Sequence, residues 1–93
     1  MTDLKLRDLR YLVAVADTRH FGRAAVACHV SQPTLSAQLK KLEEYLGVQL
    51  IERGTKRASL TAAGQRVVAR ARTMLEAGED IVEIARAFGD PLA

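Results

Sequence analysis

A single cysteine stands in this 93-residue chain, so no internal disulfide can form and a reducing, cytoplasmic setting is expected. Aromatic residues make up only 4% against 48% hydrophobic residues overall, a balance that favours small helices packed on Leu, Val and Ala. No apolar run approaches the roughly 20 residues that cross a bilayer. No signal-peptide pattern opens the chain, so neither a membrane partner nor export is expected. Imidazoles are scarce as well. His20 and His29 are the only two, and neither has a triad partner or a nucleophile elbow, which leaves an enzyme without a catalytic constellation. Adjacent Cys28 and His29, with no second spaced pair, make a poor zinc signature, and Cys28 reads as a small buried hydrophobe. Gly22, Gly47, Gly54 and Gly64 form no phosphate loop, so neither metal nor cofactor is expected.

The charge is unevenly placed. Residues 1–72 hold 13 of the 14 Lys and Arg but only 6 of the 11 Asp and Glu, a surplus of seven positive charges. The remaining segment carries one Arg against five acidic residues. A basic body followed by an acidic tail points to a polyanionic partner for the body alone. The length suits one small domain with a modest core.

Residues 30–47 organise the rest. Ser31 is a good N-cap, Pro33 falls in the first turn where a missing N–H costs nothing, and Gly47 is a left-handed stop. Between them Leu35, Leu39, Leu42 and Leu46 lie within about 60° of one another at 3.6 residues per turn. Only one narrow stripe can therefore be buried. The opposite side carries Pro33, Ser36, Ala37, Lys40, Lys41 and Glu44, with Gln32 and Thr34 at the N-terminal tip. Short polar groups with lysines behind them suit a helix entering a DNA major groove end-first, where Gln pairs bidentately with adenine and Lys neutralises phosphate. The same pattern also describes an ordinary amphipathic surface helix.

Upstream, Leu6, Leu9, Leu12, Val13 and Ala16 mark an amphipathic helix to about Thr18. After a link over 18–20, Phe21 is a core anchor. Gly22 is expected as N-cap of a short helix over 23–28, whose Ala24, Ala25 and Ala27 permit a close crossing. His29 and Val30 turn the chain into the Ser31 helix, completing a helix-turn-helix. Downstream, residues 48–53 and 57–60 are expected strands around a turn at 54–56. Arg53, Lys56 and Arg57 crowd its tip. Such a hairpin is either a wing that reaches a minor groove or phosphates, or a solvated hairpin whose charges protect an exposed edge. Thr61 caps a last helix that runs to about Phe88, roughly 40 Å at 1.5 Å per residue. Its Val67, Ala71, Met74, Gly78, Ile81, Ala85 and Phe88 step by four and three, an a/d seam reinforced by Val68, Leu75 and Val82. A helix of that length outruns a small core, so self-association through the seam is expected, with Gly78 allowing close approach. Asp90 and Pro91 end the helix. The expected fold is mainly α: a three-helix core with a short β-hairpin wing, then a long dimerisation helix.

In this order the chain resembles the N-terminal DNA-binding domain of LysR-type transcriptional regulators. The residues that carry the resemblance are Leu9-Arg-Tyr-Leu12, Phe21 with Arg23-Ala-Ala25, Val30-Ser-Gln-Pro-Thr-Leu-Ser36, Leu42-Glu-Glu44, Leu46-Gly47, Leu50-Ile-Glu-Arg53 and Thr61-Ala-Ala-Gly64. In the last of these, Ala62 stands where the family usually has proline. Arg19-His-Phe21 and residues 28–36 are similar to the peroxide-sensing OxyR branch. The resemblance implies a winged helix-turn-helix over residues 1–60, a linker and dimerisation helix over 61–89, and the start of a hinge at 90–93. It also implies a regulatory domain absent from this chain, to which the branch's sensing cysteines belong. Double-stranded promoter DNA with an inverted repeat is the implied partner, contacted from Ser31, Gln32, Pro33, Thr34, Ser36, Gln38, Lys40, Lys41, Arg53, Lys56 and Arg57. Homodimers through the last helix, and tetramers of the full-length protein, are implied too. Many members carry Arg where this chain has Ala37, which removes one base-reading contact. The rival expectation is a helical module that dimerises and docks a protein partner without reading DNA sequence.

Overall fold

The computed structural model describes residues 3–54 and 56–89. The first helix, α1, spans Leu6–Thr18 and buries Leu9, Tyr11, Leu12 and Val15. It stops because Arg19 turns left-handed (φ 53°) and donates its N–H back to the Val15 carbonyl. The second helix, α2, is Phe21–Ala27. Its N-cap is His20, whose Nδ1 accepts the Arg23 N–H at 3.0 Å, so Gly22 lies inside the first turn and not at the expected cap. Buried Ala24 and Ala25 let α2 approach its neighbours closely. His29, at φ 58°, then reverses the chain, and the Val30 N–H donates to the Ala25 carbonyl.

The third helix, α3, is Gln32–Leu46, bracketed as its sequence dictates. Ser31 Oγ accepts the Thr34 N–H, and Gly47 sits at φ 71° with its N–H on the Glu43 carbonyl. Leu35, Leu39 and Leu42 are fully enclosed, while Leu46 is half-buried against the core. Burying three leucine side chains contributes about 1.5–3 kcal/mol each, which is what seats α3 on α1.

The hairpin is shorter than the sequence suggests. Strand β1 is only Ile51–Glu52 and β2 only Ser59–Leu60, paired antiparallel as Ile51 with Leu60 and Glu52 with Ser59. Other partners take the backbone groups that would extend the ladder. The Glu43 carboxylate accepts the Leu50 and Ile51 N–H groups, and the Ala58 N–H donates to the Arg19 carbonyl. Gly54 turns at φ 95°, and the middle of the expected turn, Thr55, lies outside the described residues.

The fourth helix, α4, is Ala62–Gly89. Thr61 Oγ1 accepts the Gly64 N–H and donates to the Gln49 carbonyl, which ties the start of α4 to the wing. Val68 and Ala71 enter the same core as Leu12, Leu35, Leu39, Leu50 and Ile51. The seam is thereby divided. Ala71 is only 2% exposed, buried by its own chain, so it offers no surface to a partner, and Val67 packs on the same core. A Cβ on Gly78 would meet Leu6 of α1 at 3.6 Å, so that glycine faces its own chain as well. Open apolar surface begins at Met74 and continues through Ile81, Val82, Ile84 and Phe88. The residues expected to end the helix, Asp90 and Pro91, and the expected hinge at 90–93 lie outside the described residues. Among those residues, no helix is long and apolar enough to cross a membrane.

Candidate nucleic-acid interface

The polar side of α3 is open along its length. Gln32, Pro33, Thr34, Ala37, Lys40 and Lys41 are exposed and Ser36 is half-buried. Two of the expected contacts also have partners within the chain. Gln38 is half-buried on the α1 flank, where its Oε1 accepts from the Arg7 guanidinium at 3.2 Å. Ser31 Oγ donates to Thr34 Oγ1 at 2.9 Å while capping the helix, so these hydroxyls hold each other.

Beside the tip of α3 the wing folds back to form a cleft of about 580 Å3. Gln32, Ser36, Ala37 and Lys40 form one wall, and Glu52, Arg53, Gly54, Lys56 and Ala58 the other. Arg19, His20, Phe21 and Gly22 close the end. Four cations and one carboxylate therefore line a concave surface between helix and hairpin, a shape and charge suited to a phosphodiester backbone. Arg19 enters this surface without any helix or strand pattern to announce it. It arrives because its left-handed turn carries the chain there and its carbonyl holds Ala58 at 3.0 Å. Gly22 has a spatial role too, since a Cβ there would lie 3.3 Å from Gln32 Oε1 and 3.0 Å from His20 Cε1. Its missing side chain leaves room for the Gln32 amide beside α2.

Arg53 was expected at the tip of the wing as a direct contact. Its guanidinium also bonds Glu43 at 2.7 Å and lies 5.9 Å from the Phe21 ring centre, within cation–π range. It lines the cleft while fastening the wing's base. Lys56 and Arg57 lie beyond it and are exposed.

Burial pushes the Glu43 carboxyl upward, but the Leu50 N–H, the Arg53 guanidinium and the Ile51 N–H outweigh that and hold its pKa below the ordinary value of 4.5. The ionised form is therefore the one the fold binds. Its stabilisation is complete above pH 4.5 and is lost as pH falls through the lower folded-state value. Acid titration of the melting temperature should show this loss in the parent chain and a flatter profile in Glu43→Gln. Parallel profiles would show that Glu43 does not carry the acid limb.

The model of the bacterial regulatory helix-turn-helix proteins of the lysR family matches residues 6–65. The DNA-binding transcriptional dual regulator OxyR of Escherichia coli K12 is 49% identical over 90 residues, which is 97% of this chain and 30% of that protein. A full-length OxyR variant from Pseudomonas aeruginosa superposes with a TM-score of 0.91 at 49% identity, again over 97% of this chain and 30% of that one. The BenM DNA-binding domain, solved in complex with benA site 1 DNA, gives a TM-score of 0.88 at 35% identity over 95% of this chain and 99% of that one. The chain thus spans under a third of the OxyR proteins it matches and nearly the whole of an isolated DNA-binding domain. Its four helices and two-stranded wing are those of that family's winged helix-turn-helix, and the chain belongs to the LysR family of bacterial regulatory helix-turn-helix proteins.

Proposed function

We propose that this chain binds double-stranded promoter DNA sequence-specifically, as the N-terminal domain of a cytoplasmic, peroxide-responsive transcriptional regulator of the OxyR type, and has no enzymatic role. The observation that carries the reading is the single face formed by the exposed tip of α3 and the cationic wing, with a cleft between them. In the proposed complex α3 enters the major groove tip-first. Gln32 reads a base edge, Pro33 and Ala37 allow close approach, and Lys40 and Lys41 sit over phosphates. The wing places Lys56 and Arg57 on the flanking backbone. Dimers form through the exposed part of α4, beyond Ala71, and present two such faces to an inverted repeat. In a whole regulator, peroxide sensing belongs to a further domain and the assembly is a tetramer.

Gel shift on genomic fragments against random duplex at physiological salt tests the reading, and equal affinity for both would overturn it. Gln32→Ala should weaken binding at a specific site by about 1–3 kcal/mol while barely changing non-specific binding. Equal losses on both duplexes would remove Gln32 as a base reader. Lys56→Gln should act through charge alone, lowering the log–log salt slope by about one unit at unchanged sequence preference. An unaltered slope in a folded variant would take Lys56 out of the interface.

A further inference from the structure

Glu43 has no part in the DNA contacts proposed above, yet it makes the densest set of polar contacts between α3 and the wing. One carboxylate oxygen accepts the Leu50 N–H at 2.7 Å and the Ile51 N–H at 3.1 Å, and the other accepts the Arg53 guanidinium at 2.7 Å. The side chain is 10% exposed, and its three donors all lie at the entrance to β1 or just past it. Buried Leu50, Ile51 and Ala58 seat the wing's base in the core, and the angle of the part beyond them is left to polar contacts. The wing's ladder is two residues long on each side, and so short a hairpin does not keep a fixed orientation in water unaided. On the return side the Ala58 N–H bonds the Arg19 carbonyl just past α1, and the Thr61 N–H at the root of α4 bonds the Leu50 carbonyl across the hairpin; neither bond reaches α3. Among the described residues, Glu43 joins the reading helix to the hairpin by charge-assisted hydrogen bonds, the stronger and more directional kind.

We propose that Glu43 is a positioning residue for DNA binding, its carboxylate latching the wing to α3 so that helix and wing meet one duplex at a fixed spacing. The inference rests on the DNA-facing reading of α3 and the wing. A latched wing has already lost its orientational freedom before binding, so each phosphate contact at its tip adds to affinity in full. An unlatched wing must be ordered on the DNA, and its contacts count for less.

Two readouts on the same samples test this. Without DNA, trypsin cleavage after Lys56 and Arg57 reports how far the wing leaves the body. With DNA, the salt slope reports phosphate contacts, measured with and without Lys56→Gln. Glu43→Gln, which keeps the size and removes the charge, should be cut about fivefold faster or more while its helical circular dichroism is unchanged. Its salt slope should fall by about one unit, and Lys56→Gln should then remove less than half of what it removes in the parent. Glu44→Gln, the same charge change on the exposed neighbour, should leave the cleavage rate and the Lys56 effect as they are. Arg53→Met opens the latch from the wing side and should give the same pattern more weakly, which decides the matter if Glu43→Gln does not fold. A folded Glu43→Gln or Arg53→Met with parental cleavage, or with faster cleavage but a full Lys56 effect, overturns the latch. Lack of sequence preference in the parent chain would instead overturn the DNA-binding reading, and with it any positioning role.

Discussion

Ile81→Asp is expected to turn dimers into monomers and to abolish tight binding to a palindromic site while leaving affinity for a single half-site nearly intact. Ile81 is 66% exposed in the single chain and Phe88 89%, with Met74, Val82 and Ile84 also open on α4. A soluble monomer rarely leaves so continuous an apolar strip in water. Closing two copies over it would bring a pair of unpartnered carboxylates close together in the variant, at a cost of about 3–5 kcal/mol. Ile81 lies outside the buried core, which around Leu12, Leu35 and Leu39 closes between α1, α3 and the first part of α4. Losing the second reading helix removes the gain from simultaneous engagement, about 100-fold or more when the spacing matches. Sedimentation and gel shift on the same samples decide the outcome. A variant that stays dimeric, or a monomer that holds the palindrome at parental strength, would exclude α4 as the dimer element.

Gly64→Ala should be the most damaging small substitution in the fold. A Cβ at Gly64 would stand 2.0 Å from the Leu50 carbonyl oxygen and 2.9 Å from its carbon. Both are backbone atoms, so no side-chain rotation relieves the clash. The Leu50 carbonyl cannot withdraw without breaking its bond from the Thr61 N–H at 3.0 Å, and the Leu50 N–H is held by Glu43. Overpacking of this kind costs about 3 kcal/mol or more, a large share of a small domain's stability. Gly78→Ala is the control. Its Cβ would make ordinary contact with Leu6, and replacing a mid-helix glycine gains up to about 1 kcal/mol. Thermal melts should therefore move in opposite directions for the two variants, and a Gly64→Ala chain that melts with the parent would mean that α4 can slide away from Leu50.

Local chemistry accounts for what could be read from the sequence. The limits of α3 follow from Ser31, Pro33 and Gly47 acting within one turn of each end, and its buried side follows from four leucines at helical spacing. The N-terminus of α2 did not follow, because His20 caps through a ring nitrogen and not through one of the usual short side-chain oxygens. The wing existed as expected but its strands did not extend as far, since Glu43 takes its N–H groups from seven and eight residues away. Gln38 and Arg53 were expected only as DNA contacts. Their partners within the chain, Arg7 and Glu43, come from other elements and depend on how those elements pack. The heptad rule marks an apolar stripe on α4 but could not say which turns the chain's own core would claim, and the core reaches as far as Ala71.

The backbone of Leu50 is gripped on both sides, by Glu43 of α3 on its N–H and by Thr61 and Gly64 at the root of α4 on its carbonyl side. That grip makes the junction a stiff elbow. For a 28-residue helix, a swing of about 10° at the elbow would carry the far end through roughly 7 Å, about a fifth of a DNA turn. In the proposed dimer joined along that far half, the phase between two reading heads on the double helix would depend on this elbow together with the packing of Val68, Ala71 and Gly78, and a force applied at the distal end of α4 would reach the grooves as a change of phase.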